Sequence, residues 1–273
     1  MAVGDNKIEN VRNAEEMIKN AKSEGAQLVV LPEMFCCPYD NSKFYEYSES
    51  VDNGYAINSI KECAVKYSVY ISAGSIPERA DNKLYNTQCL IADDGTIKAA
   101  HRKTHLFDID VKGKITFKES DILSPGEQIT ITDIKGIKLG LAICYDIRFP
   151  EYFRILAING VKLVILPAAF NMTTGPAHWE TVLRCRALDN QLFIAAVSPA
   201  RNYNASYVAY GHSMVTGPWG DIKIQAGENQ CIKTVEIDFS EREVITEQLP
   251  LLKHLRKDLY ETVYKKGVDL LID

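Results

Sequence analysis

Two stretches of this chain repeat each other. Residues 25–35 read GAQLVVLPEMF and residues 160–170 read GVKLVILPAAF. The pairs Gly25/Gly160, Leu28/Leu163, Val29/Val164, Leu31/Leu166, Pro32/Pro167 and Phe35/Phe170 are identical. Further on, Tyr85, Gly95 and Ile97 match Tyr210, Gly220 and Ile222 at one constant offset. The period is too long for a solenoid. It points to two related halves within a single domain spanning 1–273, each a helix pair on one sheet. Two sheets packed face to face with the helices outside make an α/β fold, a four-layer α-β-β-α sandwich. The competing reading is two βα units alike by chance.

The pattern around the repeats is consistent with this. In residues 7–22, Ile8, Val11, Met17, Ile18 and Ala21 share one helical face, Asp5 is placed to cap the start, and Gly25 ends the helix. Leu28–Leu31 is wholly apolar, as in a strand buried on both faces. Residues 55–67 read as a second helix, and Val69–Ile76 and Gln88–Ala92 as strands. Asp94-Gly95 reads as a hairpin turn into Thr96–Ala100. In the second half, Lys138–Ile143 reads as a strand, Pro150–Asn159 as a helix ended by Gly160, and Leu163–Leu166 as a buried strand. A helix follows over 178–189, with Trp179, Val182, Leu183 and Leu188 on its apolar side. Leu192–Val197, His212–Thr216 and Ile222–Gln225 complete the half. The second half opens with a strand before its first helix, whereas only Met1-Ala2-Val3-Gly4 precede the cap in the first. The fold is therefore expected to lack most of an N-terminal strand, which would leave one neighbour's backbone edge unpaired.

Composition limits the function classes. With 273 residues, 46% of them hydrophobic, the chain can bury a sizeable core. Its net charge of −5 argues against nucleic acid as the main partner. No apolar run reaches the ~18 residues of a membrane span, so no membrane partner is expected. The polar start carries no visible signal peptide. Seven cysteines, an odd number without a CxxC, favour reduced thiols in a cytoplasmic compartment.

Chemistry is expected where the halves differ. In Gly140–Glu151 (GLAICYDIRFPE) an apolar strand runs into Cys144, then a polar turn, then a helix near Pro150. A cysteine at such a turn is exposed at the strand end, with backbone N–H groups nearby to hold an oxyanion. It is either a nucleophile or a buried structural thiol. Glu33 follows the apolar strand of the first repeat, and Ala168 stands in its place in the second. Apolar surroundings would raise its pKa and suit it to acid–base work, unless it serves a structural ion pair. The run His101-Arg-Lys-Thr-His105 is either a solvated charge cluster or the source of a lysine that favours thiolate and binds an oxyanion. His101 and His105 have a metal-like spacing but no recognisable third ligand, so no metal is expected.

Together these motifs resemble the nitrilase superfamily of carbon–nitrogen hydrolases, over essentially the whole chain. The resemblance implies the four-layer sandwich and a catalytic trio of Glu33 in LPEMF, Lys103 in HRKTHLFD and Cys144 in GLAICYDIRFPE. A second family glutamate, before a Pro-Gly, matches Glu119 in FKESDILSPG. It would orient Lys103 or the incoming water, and the Tyr145 N–H would share the oxyanion with Lys103. The segments KTHLFDID, FNMTTGPAHWE and SPAR resemble the omega-amidase branch, which implies hydrolysis of the terminal amide of 2-oxoglutaramate and 2-oxosuccinamate. The family implies no cofactor and commonly a homodimer. A small-molecule amide with a remote carboxylate needs a clamp. Arg148, Thr174, His178 and Arg201 are the candidates, with Arg148 equally readable as a structural ion-pair residue. Another small-amide or N-carbamoyl amidase of the superfamily, a non-catalytic scaffold member and a papain-like protease are the alternatives.

Overall fold

In the computed structural model, residues 1–266 and 269–271 are described. The first half contains α1 (Lys7–Ser23), β1 (Leu28–Val30), α2 (Asn41–Tyr47), α3 (Tyr55–Tyr67), β2 (Tyr70–Ser72), β3 (Ile76–Ala80), β4 (Lys83–Ile91) and β5 (Ile97–Arg102). A two-stranded ribbon, β6 (Asp108–Val111) and β7 (Ile115–Lys118), leads to the second half. That half contains β8 (Thr130–Ile134), β9 (Ile137–Leu141), α4 (Pro150–Ile158), β10 (Leu163–Pro167), α5 (Gly175–Asn190), β11 (Phe193–Val197), β12 (Met214–Thr216) and β13 (Ile222–Gln225). The chain then forms α6 (Phe239–Gln248) and β14 (Asp269–Leu271).

The repeat is visible in the strand pairing. β1 pairs parallel with β2, β2 antiparallel with β4, and β4 antiparallel with β5. The second half has the same sequence of contacts through β10, β11, β12 and β13. Gly95 and Gly220 both turn the chain with left-handed φ, 84° and 78°. β9 lies parallel beside β10, and β8 and β14 extend the sheet beyond it. Among the described residues no strand occupies the equivalent place beside β1, which is an edge.

Alternating side chains divide the strands between two environments. Leu163, Ile165, Phe193 and Ala195 join Leu90, Ala99 and the half-buried Leu28 and Val30 in a core between the two sheets. Their neighbours Val164, Leu166, Ile194 and Ala196 face α4 and α5. On the other sheet Ile71, Cys89 and Ile91 face α1 and α3. That is the four-layer sandwich. Among the described residues no helix is long and apolar enough to cross a membrane.

Several sequence expectations need correction. α1 is capped by Asn6, whose side chain accepts from the N–H groups of Ile8 and Glu9; Asp5 does not cap it. Ile8 and Leu188 are exposed, so they do not belong to the apolar faces of their helices. Leu28–Val30 is only half-buried, because β1 is an edge. The stretch Val69–Ile76 is not one strand. It breaks at Ala73–Ser75, and β2 and β3 run along the same side of β4. The break has a local cause. Gly74 (φ +53°) packs against the backbone so closely that a Cβ there would sit 2.0 Å from the Pro32 carbonyl oxygen. Ser75 then fixes the turn after Pro32, its Oγ accepting from Met34 N and its carbonyl from Phe35 N.

Candidate active site

The repeat motifs bring their ends together. Glu33 follows β1, and Lys103 is the first residue after β5. Cys144 opens a short 3₁₀ turn after β9, at φ +43°. An L-residue in that left-handed region carries a backbone cost, which is common where a nucleophile must project from a tight elbow. Glu119 comes from a 3₁₀ turn after β7. The Pro-Gly beyond it has a reason: the Gly126 N–H donates to the Lys103 carbonyl, and a Cβ there would meet the Arg102 carbonyl oxygen at 2.1 Å.

Glu33, Lys103 and Glu119 are wholly buried and joined by ion pairs. Lys103 Nζ lies 3.0 Å from Glu33 Oε1 and 2.8 Å from Glu119 Oε2. Asn86 Nδ2 donates to Glu33 Oε1 at 2.8 Å, and the Phe107 N–H donates to Glu119 Oε2 at 2.6 Å. The Tyr39 hydroxyl donates to Glu119 Oε1 and lies 3.4 Å from Glu33 Oε1. Glu33 also interacts with the Cys144 thiol. The Ala169 backbone amide does so from the second repeat, next to the Ala168 that stands in the place of Glu33. Thus the first copy of the repeat supplies a carboxylate to the sulfur and the second supplies a backbone amide.

The electrostatics assign protonation states. Burial pushes the Glu33 carboxyl up, Lys103 pulls it down and Glu119 pushes it up again, leaving it above the usual range. Burial opposes charge on Lys103, but Glu119 and Glu33 outweigh it and hold the ammonium charged. Burial and Glu33 raise the Cys144 thiol well above its ordinary value, against the pull of Lys103. The resting residue is therefore a thiol. Lys103 does pull the thiol toward thiolate, as expected, but burial and the Glu33 charge outweigh it. A nucleophilic role for this thiol would need a base, and Glu33 is the carboxylate beside it.

The basic run is not a solvated cluster. His101 and Lys103 are buried, Arg102 forms a bidentate pair with Glu78, and both histidines face Asp146.

A narrow cleft leads to the sulfur. Cys144, Tyr145, Arg148, Phe170, Thr174 and Tyr207 line it, with Phe107 and Ala169. Across Ala169 and Tyr207 lies a larger cavity of about 330 Å³ that reaches Glu33 and is bordered by Asp40, Lys43, Asn202 and Ser206. Arg148 has no carboxylate partner among the described residues. Its guanidinium lies 4.9 Å from the centre of the Phe170 ring, and Nη1 is 3.3 Å from His178 Nδ1. His178 thus backs Arg148, and burial and that guanidinium lower its pKa. Arg201 is not brought to either space: it pairs with Glu228 and donates to the Tyr210 carbonyl at 2.7 Å. Tyr39, Asn86, Asp146 and the Ala169 amide were not anticipated, since no spacing in the sequence links them to the trio.

The carbon–nitrogen hydrolase family model matches residues 5–245. The chain belongs to the carbon–nitrogen hydrolase family. This carbon–nitrogen hydrolase is 47% identical to the omega-amidase NIT2 of Bos taurus, over 98% of this chain and 96% of the relative. It is 46% identical to the omega-amidase NIT2 of Homo sapiens, over 95% and 94%. Its structure resembles that of Saccharomyces cerevisiae Nit3, a member of branch 10 of the nitrilase superfamily, with a TM-score of 0.86 and 38% identity over 93% of each chain. The carbon–nitrogen hydrolase is an amidohydrolase.

The coupled carboxylates give a pH prediction. Activity should fall as pH drops through the raised Glu33 pKa, because protonated Glu33 cannot accept the thiol proton. Glu119→Gln removes a like charge and leaves Lys103 to Glu33 alone; both changes lower the Glu33 pKa. The acid limb of kcat/KM should move to lower pH in Glu119→Gln, and a limb that stays or rises would contradict the coupling.

Proposed function

We propose that this chain hydrolyses the terminal amide of 2-oxoglutaramate and 2-oxosuccinamate, giving the dicarboxylic keto acid and ammonia through a thioester on Cys144. The observation that carries this reading is Arg148: a cation without a carboxylate partner among the described residues, in the same narrow cleft as the proposed nucleophile. A five-carbon or four-carbon amide with a remote carboxylate would extend from Cys144 to Arg148. Thr174, on the cleft wall, offers a hydroxyl beside it. His178 orients Arg148 from behind, and Arg201 has a structural role.

In the proposed course, Glu33 takes the thiol proton as Sγ attacks the amide carbon. The carbonyl electron pair moves to oxygen, held by the Lys103 ammonium and the Tyr145 N–H. Tyr145 lies at the start of the 3₁₀ turn, where helix geometry leaves N–H groups free. As the C–N bond breaks, Glu33 returns the proton to the departing ammonia. Water then attacks the thioester with Glu33 again as base, releasing the acid and the thiol. Glu119 holds Lys103 in place. One domain carries the whole reaction. The family resemblance implies a homodimer, and the seven free cysteines fit a reducing cytoplasm.

The clamp is tested by Arg148→Leu. Loss of a charge-assisted hydrogen bond should raise KM for 2-oxoglutaramate by about 10–100-fold. A neutral amide of similar length should be affected little. Equal losses on both substrates would remove Arg148 from the clamp.

A further inference from the structure

We propose that Asp146 is a positioning residue that fixes the Cys144 elbow and the Lys103 segment relative to each other, with His105 as its main link. This rests on the Glu33–Lys103–Cys144 reading of the site. Asp146 is wholly buried, two residues beyond the nucleophile. Its Oδ2 accepts from the Ile143 N–H at 2.9 Å, at the residue just before Cys144. Its own N–H returns a bond to the Ile143 carbonyl at 3.0 Å. These two bonds close the turn that keeps Cys144 in its left-handed conformation. The other oxygen faces the lysine segment. Oδ1 accepts from the His105 N–H at 2.9 Å and lies 2.7 Å from His105 Nδ1. His101 Nε2 lies 3.5 Å from Oδ2. His101 and His105 flank Lys103 by two residues on either side, so one carboxylate holds both ends of the segment that presents the ammonium.

The surroundings reinforce this link. The His105 ring stacks on Phe149, with centroids 3.6 Å apart and planes 11° apart, at the far end of the same elbow. His101 Nδ1 is 3.1 Å from Thr130 Oγ1, which ties β5 to the facing sheet. Burial alone would push the Asp146 carboxyl up. The bonds from His101, His105 and Ile143 outweigh it and hold the carboxyl below the usual range, so the acceptor is an ionised carboxylate. No atom of this network bonds to a group of the trio. Its effect must come through placement, and misplacing reacting groups by about 1 Å can lower the rate on the order of 100-fold.

The test compares Asp146→Asn, His105→Ala and His105→Asn. Asparagine at 146 keeps the volume but puts an N–H₂ where an acceptor is needed. At 105, asparagine places a donor where His Nδ1 stood, and alanine does not. Rates are measured per active thiol, counted by mass spectrometry of the Cys144 peptide after alkylation, together with KM and the thermal midpoint. Asp146→Asn should lower kcat by about 100-fold and His105→Ala by about tenfold, with KM changed less than about twofold. His105→Asn should recover most of the loss. The iodoacetamide alkylation rate of Cys144 should follow the same order. That rate needs no substrate, so it tests the positioning even if 2-oxoglutaramate proves not to be hydrolysed. A purely structural role predicts a lower thermal midpoint with unchanged kcat per active thiol. That result, or equal behaviour of His105→Ala and His105→Asn, would overturn the proposal. His105 is part-exposed, so its variants decide the matter if Asp146→Asn does not fold.

Discussion

Cys144→Ala should lower ammonia release from 2-oxoglutaramate by at least about 10⁴-fold, the scale of losing one member of a nucleophilic triad. The reason lies in the resting state. The buried thiol is neutral, so in the proposed course the rate depends on a sulfur that becomes nucleophilic only as Glu33 takes its proton. Alanine has no atom for either event. Fold should be retained, because alanine can occupy φ +43° at a cost similar to cysteine and leaves the Asp146–Ile143 bonds in place. Circular dichroism and a thermal melt check the fold, and an ammonia assay checks the rate. Residual activity within tenfold of wild type would remove Cys144 from the mechanism and the thioester with it.

Lys103→Met should damage both activity and stability. The lysine is the sole cation bonded to Glu33 and Glu119 among the described residues, and all three are shielded from water. Removing one partner of a buried ionic cluster costs roughly 3–5 kcal/mol, because the remaining charges are left uncompensated. For a chain of this size the thermal midpoint should fall on the order of 10 °C. The pH dependence has a definite sign. Without the ammonium, the Glu33 carboxyl, already raised by burial, loses the charge that pulled it down and retains its proton when folded. The folded state then binds more protons than the unfolded one, so stability falls as pH rises beyond the ordinary glutamate range. The deficit relative to wild type should be smallest near pH ~4.5 and grow toward neutrality. Adding Glu119→Gln should restore part of the stability, since one buried charge is removed, but not the activity. A deficit that is flat with pH, or full turnover in Lys103→Met, would contradict this account of the cluster.

Much of this architecture was legible in the sequence. The paired LVVLP and LVILP runs, each after a glycine that ends a helix, mark strands at equivalent places in two sheets. Apolar alternation explains why their side chains separate into an inner core and two outer ones. The candidate trio could be named because each member stands in a motif that resembles the family's, and Ala168 adds that the repeat does not require a carboxylate at Glu33. Less legible were positions set by contacts between distant segments. The Val69–Ile76 stretch looks continuous, yet it breaks where Gly74 must approach Pro32. Ile8 and Leu188 fit their helical faces by spacing, but no neighbouring layer covers them. Arg148 and Arg201 are equivalent candidates as residue types; one stands in the cleft without a carboxylate partner among the described residues, and the other is engaged by Glu228.

The sequence by itself pointed to the two-halved sandwich through its repeat and local periodicity, and to the family and the candidates Glu33, Lys103, Glu119 and Cys144 through the resemblance of short motifs. Only the tertiary structure decided that the thiol is neutral at rest, that Tyr39 and the Ala169 amide join the site, and that Asp146 binds the elbow to the lysine segment. Burial and Coulomb interactions depend on distances between segments tens of residues apart, and those distances exist only once the two sheets have packed.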